Sequence, residues 1–238
     1  MNDIFFNEYG RLRSGWRFSF FIILFLFLTI LLASGIFGLV ALLTDGLDAD
    51  GLFTKVLSAT IPLFAAIVVG WFSGKFLENL PFRALGAWFT KYWFKDLFLG
   101  LLIGAGSIGL AALIAMIFGG LSFTYNKDAG SSAILITMGA SFLVFFFAAA
   151  FEEALFRGYI LQTFARANLA WLAIFLTSIL FASVHMQNPS AGTFSAINTA
   201  IAGIWMGVAY LKTRTLWLVF GVHFAWNWVM GAFLGIEV

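Results

Sequence analysis

Residues 167–211 read ANLAWLAIFLTSILFASVHMQNPSAGTFSAINTAIAGIWMGVAYL, without one Asp, Glu, Lys or Arg. A helix needs roughly 20 apolar residues to cross the hydrocarbon core of a bilayer, so this run is too long for a single crossing. The polar, turn-forming stretch 186–192 (MQNPSAG) divides it into two spans. The same length rule, applied outward, finds five more apolar runs at 18–43, 56–74, 97–119, 133–159 and 216–236. The expected fold is all-α: a polytopic transmembrane helix bundle of about seven spans.

Composition agrees with the spans. Of the 238 residues, 62% are apolar and 10% charged, where a soluble domain carries roughly a quarter charged residues. A β-barrel is excluded because the apolar runs are continuous instead of alternating. The absence of Cys excludes thiol catalysis, disulfides and Cys-type zinc sites. The first run follows Arg11, Arg13 and Arg17 but is far longer than a signal-peptide core, so it reads as a retained helix.

Alternating the loops between sides puts Arg11, Arg13, Arg17, Lys75, Arg83, Lys91, Lys95, Arg157, Arg166, Lys212 and Arg214 on one side. The other side holds only Lys55 and Lys127, with Asp45, Asp48, Asp50 and Asp128. An 11-to-2 split of Lys and Arg predicts a cytoplasmic N-terminus and an external C-terminus. The net charge of +2 is thus a topology signal and calls for no nucleic-acid partner. Residues 75–96 read as an interfacial linker or short amphipathic helix. Gly100, Gly104, Gly106 and Gly109 read as close-packing positions. Thr137, Ser141, Ser183, Asn198 and Thr199 read as interhelical hydrogen-bonding groups.

Ionisable groups inside spans are costly and usually functional. They fall in three places: Glu152-Glu153-Ala-Leu-Phe-Arg157, Phe181-Ala-Ser-Val-His185, and His223-Phe-Ala-Trp-Asn227. Glu153 and Arg157 are four apart, share a helix face and can pair, while Glu152 is turned roughly 100° away and is free for chemistry. A rise of about 1.5 Å per residue puts His223, Glu152 and His185 roughly 12, 16 and 22 Å from the inner boundary, which allows one intramembrane site. A carboxylate that takes a proton from water, a His that positions the water, and a second His with an Asn at an oxyanion suit amide hydrolysis. The same Glu and two His could instead hold a divalent metal such as zinc, although no His-Glu-x-x-His motif is present. A proton-coupled transporter relay is a competing reading, weakened by the absence of a repeat between the halves.

These three motifs, in this order on successive apolar helices, resemble the CPBP family of intramembrane proteases. That family contains the type II CAAX prenyl endopeptidases and the bacteriocin-processing enzymes. The resemblance covers roughly 131–238 as a catalytic core of four spans, leaving 1–130 as three spans with the linker; many members of the family have eight spans in all. It implies a peptidase acting on a membrane-associated protein or peptide, with Glu152 as water activator and His185 as its partner. His223 and Asn227 would serve the oxyanion side, and Glu153 with Arg157 would support the site. It also implies a multi-pass protein whose partners are the lipid bilayer and its substrate, expected in a bacterial plasma membrane. A non-catalytic scaffold or bacteriocin-immunity protein on the same fold is the alternative.

Overall fold

In the computed structural model, described for residues 2–44, 46, 48, 51–124, 130–188 and 191–236, every apolar run becomes a helix. The principal helices are α1 (Ser14–Leu43), α2 (Leu52–Glu78), α3 (Trp93–Ile117), α4 (Ser131–Ala165), α5 (Ala170–His185), α6 (Thr193–Thr213) and α7 (Trp217–Trp228). No strand occurs among the described residues. Helices α1, α2, α3, α4 and α6 are long and apolar enough to cross a membrane. Helix α5 has 16 residues, and α7 has 12 followed by a π-helical turn, Val229–Phe233. Large apolar side chains stay on the outside, among them Leu42, Phe118, Trp171 and Phe194, as a lipid-facing surface requires. Of the outer-loop charges, Asp45, Asp50, Lys127 and Asp128 lie outside the described residues, as do Pro189 and Ser190 of the break.

Backbone approach between α3 and α7 fixes one side of the bundle. A Cβ on Gly100 would lie 2.3 Å from the Leu218 carbonyl oxygen, and one on Gly104 would lie 2.3 Å from that of Val222. Gly221 faces them reciprocally, with Leu97 O at 2.5 Å from its Cβ position. These small residues let two helices touch main chain to main chain, and α7 is thereby held in place beside His223. The expectation for the other two glycines is corrected: a Cβ on Gly106 or Gly109 would meet nothing within 4 Å. Gly104→Ala should therefore lower the melting temperature in detergent, whereas Gly106→Ala, which gains helix propensity, should leave it unchanged or raise it. Equal losses in both variants would remove the packing explanation.

The linker is also corrected. Its two ends belong to α2 and α3, and between them residues 79–92 form an irregular strap with one short 3-10 turn, Phe82–Leu85. It is fastened to the start of α7, where Leu216 N–H donates to Gly86 O at 2.9 Å and Trp217 Nε1–H to Trp88 O at 2.9 Å. The rings of Phe89 and Trp93 close on Trp217 at 5.1 and 5.3 Å. Ring stacking and hydrogen bonds to α7, not amphipathic periodicity, hold this segment.

Two of the basic residues read as topology signals serve a different purpose. Glu78, at the end of α2, is buried and accepts from Arg166 Nη2 at 2.8 Å, Arg166 Nε at 3.0 Å and Thr163 Oγ1 at 3.2 Å, and it pairs with buried Arg17. One carboxylate thus ties α1, α2 and α4 together. Burying these charges costs solvation, so the network is tolerated because each ion has hydrogen-bonding partners.

Candidate active site

Helix α4 is not α-helical throughout. Immediately after Glu153 the segment Ala154–Ile160 is π-helical, and α-geometry resumes at Leu161–Ala165. π-Segments leave main-chain carbonyls without their usual i+4 donor and recur at functional sites. Here the Gln162 side chain supplies the donor, giving Nε2–H to Gly158 O at 2.8 Å and to Arg157 O at 3.2 Å. Gln162 is itself held by Arg166 Nη1 at 3.0 Å, which joins the π-segment to the Glu78 cluster. Nothing in the apolar pattern of α4 signals this device.

The pairing expected from the four-residue spacing is present: Arg157 Nη1 donates to Glu153 Oε1 at 2.9 Å, with both side chains fully buried. Arg157 also reaches Gly203 O on α6 at 3.4 Å, and its guanidinium lies 4.8 Å from the centre of the Phe181 ring. That reach depends on α5 and α6 packing tightly at Gly203, where a Cβ would lie 2.9 Å from Ser178 Cα.

Glu153 does more than pair with Arg157. Its Oε1 also accepts from His223 Nδ1 on α7 at 2.8 Å. On α5, His185 Nδ1 lies 2.8 Å from the carbonyl oxygen of Phe181. A carboxylate and a carbonyl only accept, so each Nδ1 carries a proton, which leaves Nε2 of each ring to act as acceptor when the ring is neutral and as donor when it is charged. Both Nε2 atoms point at the same atom: Glu152 Oε2 lies 3.6 Å from His185 Nε2 and 3.6 Å from His223 Nε2. That oxygen is buried and has no hydrogen-bond partner among the described residues. A carboxylate oxygen facing two imidazole nitrogens needs a proton or a donor between them, and 3.6 Å is a separation that a bridging water fills.

Phe181 organises the ring pair. Its centroid is 4.4 Å from that of His185 and 5.7 Å from that of His223, the latter edge to face. The sequence places it only beside His185. The straight-rise depths put His223 and His185 roughly 10 Å apart along the membrane normal, yet Glu152 Oε2 lies 3.6 Å from Nε2 of each.

His185, His223 and Asn227 line a cavity of about 650 Å³ between α3, α5, α6 and α7. Glu152 is not part of its wall and is joined to it through the two imidazoles. The bland reading of the other membrane hydroxyls and amides is revised. Ser141 and Ser183 bond to carbonyls of their own helices, Met138 O and Ile179 O, while Asn198 and Thr199 face this cavity. As to metal, no group of three or more His, Asp or Glu among the described residues is close enough to enclose an ion.

Residues 134–229 match the family described as type II CAAX prenyl endopeptidase Rce1-like. Over 183 residues, 76% of this chain, the sequence is 27% identical to the uncharacterized protein YyaK of Bacillus subtilis (strain 168). The alignment covers 57% of that protein's length. No solved structure matches the chain with significance. The matched segment is the one that carries Glu152, Glu153, Arg157, His185, His223 and Asn227, and over it the chain is similar to the type II CAAX prenyl endopeptidase Rce1-like family.

Proposed function

We propose that this protein is an intramembrane endopeptidase that hydrolyses a peptide bond of a membrane-associated protein or peptide with water activated by Glu152. The observation that carries the reading is the convergence of Glu152 Oε2 and the Nε2 atoms of two imidazoles beside a cavity within an apolar helix bundle. A water between them gives one proton to Glu152 and hydrogen-bonds to His185, which aims its oxygen at the scissile carbonyl carbon. As the new C–O bond forms, the side-chain N–H of Asn227 stabilises the oxyanion. His223, anchored at Nδ1 by Glu153, enters the step as an imidazolium and joins Asn227 as a donor through its Nε2–H, which it keeps throughout. Collapse breaks the C–N bond, and the proton held by Glu152 passes to the leaving amine.

Glu152, His185 and His223 are also the residues that would hold a divalent ion, whose contribution when bound would be Lewis-acid polarisation. Because these side chains do not enclose such a site, activity in chelator is expected to fall in part at most. The test is cleavage of a peptide library by the purified protein, read by mass spectrometry with and without chelator. Internal cleavage that survives chelator is the expected outcome. Complete loss restored by stoichiometric zinc overturns the metal-free step, and no cleavage of any peptide overturns the peptidase.

The membrane is proposed to be a bacterial plasma membrane, with the N-terminus inside. Removing the paired Arg17, Arg157 and Arg166 from the eleven inner-side cations leaves eight against two, so the charge bias survives the structural correction. Alkaline phosphatase fused after Val238 should be active and a fluorescent protein dark at the same position; the reverse pattern sinks this orientation.

A further inference from the structure

We infer that Asn198 and Thr199 of α6 form an edge that holds the substrate's main chain, and that the ligand of the cavity is an extended, uncharged stretch of peptide. The inference rests on the peptidase reading above and names the substrate class for that site. Asn198 and Thr199 lie on α6 and line the same cavity as His185 of α5 and His223 and Asn227 of α7. Neither side chain makes a hydrogen bond among the described residues, and neither does Asn227. The contrast with other membrane hydroxyls is direct: Ser19, Thr60, Thr177, Ser178 and Ser183 each donate to a carbonyl of their own helix, one turn back. Thr199 sits on the same kind of helix and leaves its hydroxyl facing the cavity.

Asn198 is exposed and Thr199 half-buried, so both groups are open to the cavity, and an unpaired amide or hydroxyl set in an otherwise apolar wall is intelligible as one half of an interaction completed by a ligand. An Asn amide offers both a donor and an acceptor, and a Thr hydroxyl does the same. That set complements the N–H and C=O of an extended main chain, as the edge of a sheet complements an added strand. A helical substrate has already satisfied those groups internally and has nothing to offer this edge. The cavity wall contains no Asp, Glu, Lys or Arg, and its titratable groups are His185 and His223 alone, so a charged residue seated there would be uncompensated. Around the edge the wall is apolar, with Ile201, Trp205 and Met206, which suits small and aliphatic side chains.

The experiment measures binding of a fluorescent, neutral peptide of Leu, Ala and Gly by anisotropy in detergent, next to the same peptide N-methylated along its main chain. Wild type and Glu152→Gln should bind the unmethylated peptide alike. Asn198→Leu/Thr199→Val should bind it about tenfold more weakly at an unchanged melting temperature, the effect of losing two ordinary hydrogen bonds. The methylated peptide should bind wild type as weakly as the double variant binds the parent peptide, and Thr199→Ser should keep wild-type affinity. Equal affinity of the double variant and wild type, no preference of wild type between the peptides, or no binding by wild type overturns the edge. If the double variant does not fold, Thr199→Val and the methylation contrast on wild type decide. A peptide that binds with the expected pattern and is never cut retires the peptidase reading while the edge stands; one that is cut without the pattern retires the edge alone.

Discussion

Glu152→Gln should abolish most peptidase activity, by about 10²–10⁴-fold, while the protein stays folded and melts at the same or a higher temperature. The size of the loss is that of a positioned general base, since an amide of the same shape cannot take a proton from water at neutral pH. The direction of the stability change follows from the burial of Glu152 Oε2. That oxygen has no hydrogen-bond partner among the described residues and lies 3.6 Å from Nε2 of both His185 and His223. Replacing it with Gln removes the anion and lets an N–H donor turn toward Nε2 of either His, so an unfavourable meeting becomes a satisfied one. The measurement pairs initial rates on a cleaved library peptide with thermal melts in one detergent. Near-full activity in Glu152→Gln would remove it from the role of base, whatever the melting temperature.

The helical bundle and the three polar motifs are legible in the sequence because both depend on local pattern. A charge-free run such as 167–211 can satisfy its backbone in a bilayer only as helix, and the break at 186–192 shows where it turns. The spacing of four between Glu153 and Arg157 translates into a contact for the same local reason. What is not legible involves partners distant in the chain. Glu78 looks like the polar end of a span, yet it gathers Arg17 and Arg166 from two other helices. The π-segment at Ala154–Ile160 has no composition signal, and its stabilising Gln162 looks like an ordinary interfacial residue. All four glycines of α3 look alike in sequence, but only Gly100 and Gly104 turn toward α7, and helix rotation decides that. The link from Glu153 to His223 spans 70 positions and is the omission that most changes the chemistry.

That link alters what Glu153→Gln should do. Read from spacing alone, Glu153 only holds Arg157, and its loss acts through stability. In the structure Glu153 Oε1 accepts from both Arg157 Nη1 and His223 Nδ1, so the carboxylate is shared between a structural cation and a ring that faces Glu152. Glu153→Gln leaves the Arg157 guanidinium buried without its counter-ion, and breaking such a pair costs about 3–5 kcal/mol. A marked fall in melting temperature is therefore expected. Glu153→Gln/Arg157→Met takes away both charges and keeps the volume, so it should recover much of that stability. Activity should not return with it. The amide oxygen can still accept from His223, but a neutral acceptor holds the N–H about half as strongly as a carboxylate, which corresponds to about a tenfold loss in any step that needs the ring fixed. The double variant separates the two roles. Restored stability with activity still at least about tenfold down assigns Glu153 to the positioning of His223. Restored stability with full activity returns it to the role of a counter-ion for Arg157. A well-folded but wholly inactive Glu153→Gln, beside an active Glu152→Gln, exchanges the roles of the two adjacent glutamates.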